Sequence, residues 1–155
     1  MEKIESFKIN HLNLFSGLYV SRKDTLNNQT ITTFDMRFTA PNRETPMEMP
    51  AIHTLEHLGA TFFRNSDIKE QIVYFGPMGC RTGFYLLLFN DWSPEALFPY
   101  AIDFCDFVID FNGQIPGATA IECGNYLEQD LATAKKYAKK YKADLLECKR
   151  TIYPE

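Results

Sequence analysis

Apolar and polar positions alternate over residues 30–38, Thr-Ile-Thr-Thr-Phe-Asp-Met-Arg-Phe. Phe34, Met36 and Phe38 fall on one face, and Thr33, Asp35 and Arg37 on the other, which predicts a strand. Thr39 to Pro50 holds three prolines and reads as a loop. Pro50 suits the first turn of a helix, where its missing N–H costs nothing. Ile52, Leu55, Leu58 and Phe62 then recur at helical spacing, so a helix is predicted from about Ala51 to Arg64. Gln71 to Phe75 reads as a second strand, Gly76-Pro77-Met78-Gly79 as a turn, and the near-continuous apolar run Thr82 to Phe89 as a buried strand. Ser93-Pro94 supplies an N-cap and an N1 proline for an apolar helix reaching about Phe111. A short strand is expected over Ala120 to Cys123, and Asp130 can cap a last helix to about Lys149. Strands and helices mix without strict alternation. The pattern therefore predicts an α+β fold, with helices packed against a mostly antiparallel sheet.

No repeat, linker or low-complexity tract divides residues 1–155, so one domain is expected. With 45% hydrophobic residues and a net charge of only −4, the chain can bury a core and is not of the disordered class. A pI near 5.4 without a basic block argues against nucleic acid as the main partner. No apolar run reaches the ~18 residues of a membrane span. The polar start Met1-Glu2-Lys3-Ile4-Glu5 is unlike a secretory signal. Four cysteines in such a chain read as reduced thiols, and the expectation is a soluble, cytoplasmic protein.

The chain has three histidines, and two of them fall within His53-Thr54-Leu55-Glu56-His57. Positions four apart on a helix share a face, so both imidazoles can address one metal ion, with Glu56 at its border. This is the His-x-x-Glu-His arrangement of the inverted zincins. A solvated histidine pair is the plain alternative. A tetrahedral ion with one open position needs a third protein ligand. Cys105, among Ile102, Phe104, Phe107 and Val108, reads as a core thiol, and Cys148 as inert in a Lys-rich helix. Cys80 and Cys123 both adjoin glycine in turn-like contexts, and chemistry alone leaves open which of them is the ligand. Arg81 beside Cys80 is a positive charge of the kind that favours a thiolate. Arg37 reads either as half of a strand-surface ion pair with Asp35 or as a guanidinium that holds a thiolate or a substrate oxygen. Ser6 and His11 stand in a short N-terminal segment and say nothing alone.

Together these segments resemble the S-ribosylhomocysteinase family, which makes the precursor of autoinducer-2. The resemblance is carried by Glu5-Ser6-Phe7 with His11, and by Phe34-Asp35-Met36-Arg37-Phe38 with Pro41-Asn42. It continues through Ile52 to Leu58, Gly76 to Tyr85, and Cys123-Gly124-Asn125-Tyr126-Leu127, over nearly the whole chain. It implies that residues 1–155 are one catalytic domain of inverzincin-like architecture. It implies that His53, His57 and Cys123 bind one divalent metal per subunit, Fe(II) in the cell, with Zn(II) or Co(II) as substitutes. Cys80 is then the catalytic thiol, Glu56 the second acid/base group and Arg37 a neighbour of both thiolate and substrate, while Ser6 and His11 line the ribose pocket. The implied partner is a second copy, in a homodimer with active sites at the interface. The implied reaction cleaves the thioether of S-ribosylhomocysteine to homocysteine and 4,5-dihydroxy-2,3-pentanedione by carbonyl migration and β-elimination.

Two departures from the family pattern stand out. Tyr74-Phe75-Gly76 replaces the Asp-Ile-Ser of many members, and Gln129 stands where many have histidine. Two rival readings stand beside this resemblance. One is a small metallopeptidase with Glu122 or Glu128 as third ligand, which leaves Cys80 unexplained. The other is a metal-binding protein without catalysis.

Overall fold

The computed structural model describes residues 2–155, the side chains of Glu5 and Ser6 excepted. Its strands are β1, Gly17–Leu26; β2, Gln29–Arg37; β3, Ile72–Pro77; and β4, Gly83–Phe89. The α-helices are α1, Glu5–Lys8; α2, Met49–Asn65; α3, Pro94–Asp110; and α4, Leu131–Cys148. The strands form one antiparallel sheet in the order β1-β2-β4-β3, as the α+β expectation requires. Asn27 and Asn28, both with positive φ, close the β1–β2 hairpin in two residues, a conformation that asparagine tolerates. No helix among the described residues is long and apolar enough to cross a membrane.

One face of the sheet carries the core. Phe34 and Met36 of β2, with Phe84, Leu86 and Leu88 of β4, meet Leu55 and Leu58 of α2, Phe104 of α3 and Tyr141 of α4, all fully buried. Each such side chain contributes about 1.5–3 kcal/mol of transfer free energy. Phe75 of β3 stacks on Phe84 with ring centroids 5.0 Å apart. Ser93 caps α3 through the N–H of Ala96, and Asp130 caps α4 through that of Thr133, as their positions in the sequence suggest.

Three details differ from the pattern. Residues 120–123 form a turn rather than a strand: the N–H groups of Glu122 and Cys123 both donate to Thr119 O, and the Thr119 hydroxyl bonds Glu122. Local bonds win there because Ile121, at 94% exposure, has no core to join. β3 runs on through Pro77, which needs no ladder N–H on an edge strand. β1 was not anticipated, because its outer half is the exposed charged run Arg22-Lys23-Asp24, suited to a sheet edge.

The opposite face of the sheet is polar and aromatic, and it positions the site. The strand register sets Tyr19, Asp35, Tyr85 and Gly76 in one row and Gly17, Arg37 and Gly83 in the next. Arg37 is thus flanked by two glycines. A Cβ at Gly83 would lie 2.4 Å from Met36 O, and one at Gly17 2.7 Å from Arg150 O. Because the obstacle at Gly83 is backbone, Gly83→Ala is expected to cost about 1–3 kcal/mol, read as a lower urea midpoint. An unchanged midpoint would show that the ladder yields there at no cost.

Burial acts on the phenols Tyr19, Tyr85 and Tyr153 around this face and on Tyr141 in the core. Burial pushes Tyr19 up to about 12, and it raises Tyr85, Tyr141 and Tyr153 as well. An unfolded phenol ionises near 10. Above that pH the unfolded chain releases protons that the folded protein keeps. The stability these groups contribute is therefore intact below pH ~10 and is lost as pH rises toward the folded value of Tyr19. Urea midpoints should hold from pH 8 to about 10 and fall by pH 11; a rise over that last interval would contradict the burial of these phenols.

Candidate metal centre and reactive cysteine

The helical spacing of His53 and His57 brings their Nε2 atoms to 3.0 Å from each other. Cys123, from the turn before α4, sets its Sγ 3.4 Å from His53 Nε2, and the three ligand atoms lie within 4.8 Å of one another. Each ring has a carbonyl oxygen beside its Nδ1: Pro116 O at 2.7 Å for His57 and Glu128 O at 2.9 Å for His53. A carbonyl only accepts, so each Nδ1–H donates and each Nε2 is left as a bare lone pair. Two lone pairs facing across 3.0 Å repel unless a cation lies between them. On a tetrahedral ion, N and S ligands would stand roughly 3.3–3.6 Å apart; the 3.4 Å separation of Cys123 Sγ from His53 Nε2 falls in that range, and the two ring nitrogens stand somewhat closer. The donor set of two imidazoles and one thiol suits zinc, iron or cobalt. The Asn125 N–H also donates to Cys123 Sγ, at 3.4 Å.

Two neighbours touch the rings. Gln129 puts Nε2 3.2 Å from His53 Nδ1 and accepts at Oε1 from the Thr54 hydroxyl at 2.7 Å, so the residue that departs from the family pattern does touch a ligand ring. Gly117 packs on His57. Its φ is +71°, and a Cβ there would lie 3.2 Å from His57 Nδ1. Gly117→Ala is thus strained and presses on the ring whose carbonyl partner is next door; metal affinity should fall about tenfold in a chelator competition. Unchanged affinity would mean that the Pro116 carbonyl contact does not tune the site. Glu56 joins His53, His57 and Cys123 in lining a concavity of about 480 Å³.

Cys80 lies elsewhere. It is exposed, in the tight turn between β3 and β4, where Met78 N donates to Gly83 O and Arg81 N to Met78 O. With His11, Asn42 and Thr82 it lines a concavity of about 500 Å³ that contains none of the metal-site residues. Its sulfur is 3.1 Å from Thr82 Oγ1 and 3.9 Å from Arg37 Nη1. The guanidinium bonded to the sulfur is therefore that of Arg37 rather than of the adjacent Arg81. Arg37 also donates to Asp35 Oδ2 at 2.5 Å and to Thr82 Oγ1 at 2.6 Å. The Asp35–Arg37 pair is buried, not on a strand surface, because the tyrosine row and the segment after α4 cover it. His11 is held by Ile9 O at 2.9 Å from Nδ1. Ser6 sits on α1, and its side chain lies outside the described residues. Cys105 is a core thiol raised by burial, and Cys148 is exposed at the end of α4.

Sequence reasoning missed Thr82 and the buried role of Asp35. Thr82 carried a signal, being two residues from Cys80 across a tight turn; Asp35 carried one in sharing a strand face with Arg37. At the other departure from the family pattern, the Tyr74 ring lies over Gly76, where an added Cβ would meet its hydroxyl oxygen at 2.0 Å.

A His-x-x-Glu-His helix laid on an antiparallel sheet, with a cysteine closing the ligand set and a second cysteine exposed beside an arginine, defines a candidate metal-dependent acid/base catalyst. The model of the family S-Ribosylhomocysteinase (LuxS) matches residues 4–152. The S-ribosylhomocysteine lyase of Finegoldia magna is 51% identical over 157 residues, spanning all of both chains. That of Clostridium acetobutylicum is 51% identical over 158 residues, again spanning both. That of Borreliella burgdorferi is 51% identical over 142 residues, 91% of this chain and 90% of the relative. The chain belongs to the S-ribosylhomocysteinase family.

Proposed function

We propose that residues 1–155 form one catalytic domain that cleaves the thioether of S-ribosylhomocysteine to homocysteine and 4,5-dihydroxy-2,3-pentanedione. The observation that carries this is the convergence of His53, His57 and Cys123 in a chain that matches full-length lyases at about half identity. The architecture is inverzincin-like in having its His-x-x-Glu-His helix on an antiparallel sheet. His53, His57 and Cys123 hold one divalent metal, Fe(II) in the cell, with Zn(II) or Co(II) able to replace it. When bound, the metal supplies a Lewis acid for oxygens that gain charge during carbonyl migration.

The chain's own residues move the protons. The carbonyl of the ring-opened aldehyde migrates from C1 to C2 to C3 by paired proton transfers, and the 3-ketone then loses its C4 proton as homocysteine leaves C5. Cys80 Sγ and the Glu56 carboxylate serve as the proton carriers at these carbons. Thr82 and Arg37 face the sulfur. Ser6 and His11 bind the ribose. The products sum to the substrate, so no water or redox partner is consumed. In the cytoplasm this reaction returns homocysteine to the activated methyl cycle and supplies the autoinducer-2 precursor for quorum sensing.

Incubating the Fe(II)-loaded protein with S-ribosylhomocysteine under anaerobic conditions should release free thiol at the rate the dione forms. No release from fully metallated protein would sink the substrate assignment.

The active unit is a homodimer with sites at the interface. Supporting this, Cys80 and the metal ligands line separate concavities of one chain. If a second copy's Cys80 half-site faces the metal, inactive Cys80→Ala and inactive His57→Ala proteins should complement when mixed after dissociation. The mixed dimer then holds one intact site, and activity should return toward about a quarter of wild type. A mixture that stays inactive, although mixed dimers form, would place the whole site within one chain.

A further inference from the structure

Behind Cys80 lies a chain of buried polar groups that the proton transfers do not use. Asp35 and Arg37 are buried, yet they meet through one oxygen only: Asp35 Oδ2 accepts from Arg37 Nη2, while Asp35 Oδ1 and Arg37 Nε have no hydrogen-bond partner among the described residues. A single-point ion pair lacks the directional lock of a bidentate one. A second donor to the same oxygen fixes it. That donor is the Tyr153 hydroxyl, 2.9 Å from Asp35 Oδ2.

Tyr153 comes from the segment after α4, and that segment is seated independently of the hydroxyl. The Tyr153 ring stacks on Tyr19 with centroids 4.8 Å apart and planes 15° from parallel. Leu18 N donates to Arg150 O at 2.9 Å, and Asn10 Nδ2 to Glu155 O at 3.2 Å. On the other side of the ion pair, Arg37 Nη1 donates to Thr82 Oγ1, and that hydroxyl shares a hydrogen bond with Cys80 Sγ 3.1 Å away. The order of contacts is thus Tyr153, Asp35, Arg37, Thr82, Cys80.

We propose that Tyr153 is a positioning residue for Cys80: by fixing the carboxylate of Asp35 it holds Arg37 so that Thr82 and the guanidinium face the sulfur. The proposal rests on the reading that Cys80 carries protons in this reaction. It also gives Asp35 a pH role. Burial raises the carboxyl of Asp35, and Arg37, the Tyr153 hydroxyl and His11 oppose that rise. Three further phenols are coupled to it, Tyr19 on β1, Tyr85 on β4 and Tyr141 on α4, and among the described residues none of them donates to it. Without the Tyr153 hydroxyl, Asp35 takes up a proton at higher pH and Arg37 loses its anchor.

The test is Tyr153→Phe in the metal-loaded protein, since phenylalanine keeps the ring stack. The expected result is a kcat about tenfold lower with KM within twofold of wild type, and an acid limb of kcat/KM moved to higher pH. Iodoacetamide labelling resolved by peptide mass should slow severalfold at Cys80 and remain unchanged at Cys148. Tyr153→Ala, which also removes the stack, should show at least the same loss at Cys80 together with a lower thermal midpoint. Wild-type kcat, pH profile and Cys80 labelling in Tyr153→Phe would overturn the proposal, as would a loss of activity explained wholly by lost metal. If the wild-type protein released no homocysteine, the substrate reading would fail by itself, and the labelling comparison would still decide the role of Tyr153.

Discussion

Cys80→Ala is expected to lower homocysteine release by about 10²–10⁴-fold while leaving metal content and thermal midpoint at their wild-type values. The side chain is exposed, and its hydrogen-bond partners are Thr82 and Arg37, so truncation opens no core cavity. Arg37 keeps Asp35, and Thr82 keeps Arg37, when the sulfur goes. What is lost is one proton carrier. Steady-state thiol release, metal analysis and a melting curve on the same preparation make the measurement. Activity within tenfold of wild type would remove Cys80 from the chemistry. A fall in bound metal would move it to the ligand set, the alternative that its glycine-flanked turn left open in the sequence.

His57→Ala should act in the opposite way, losing metal first and activity as a consequence. His57 supplies one of three convergent donors, and no other His, Cys, Asp or Glu joins that cluster among the described residues. Removing it leaves a two-ligand site, and the affinity for a divalent ion should drop by more than about 10²-fold, beyond the effect of losing a carbonyl that merely orients a ligand. Dialysis against a weak chelator followed by metal analysis reads this directly. The helix itself should survive, because His57 is half-buried and alanine is the better helix former. Retention of one equivalent of metal in a folded His57→Ala protein would mean that the ion binds elsewhere.

The two largest effects fall on residues whose signals were local in sequence. His53, Glu56 and His57 could be placed on one helix face by spacing, and β2, α2, β4, α3 and α4 by periodicity and caps, because those signals are written within one element. The third member of the candidate metal group was not legible in that way. Cys80 and Cys123 have similar neighbours, and only the fold, which carries Cys123 some seventy positions back to His53, separates them. The family resemblance implies Cys123, and the fold brings its sulfur beside the two histidines, in a group that could hold a metal ion. Asp35 and Tyr153 were opaque for the same reason: an alternating strand shows that Asp35 shares a face with Arg37 but not that a segment 118 positions away will bury it. The expected strand at 120–123 failed because its apolar residues have nothing to pack on, a tertiary fact. β1 escaped because an edge strand needs little apolar alternation.

The segment that carries Tyr153 has a kinetic consequence. Its contacts close nearly the whole chain on itself: Asn10 bonds Glu155 across 145 positions, and Tyr153 bonds Asp35 across 118. Closing loops of that length costs entropy before any contact repays it, so such pairs form late in folding. The sheet and its helices can assemble from nearer neighbours, the β1–β2 hairpin first. Docking of residues 150–155 then completes the surroundings of Cys80 as a last event. Hydrogen exchange should find this strap among the earliest parts to open, well before the sheet core.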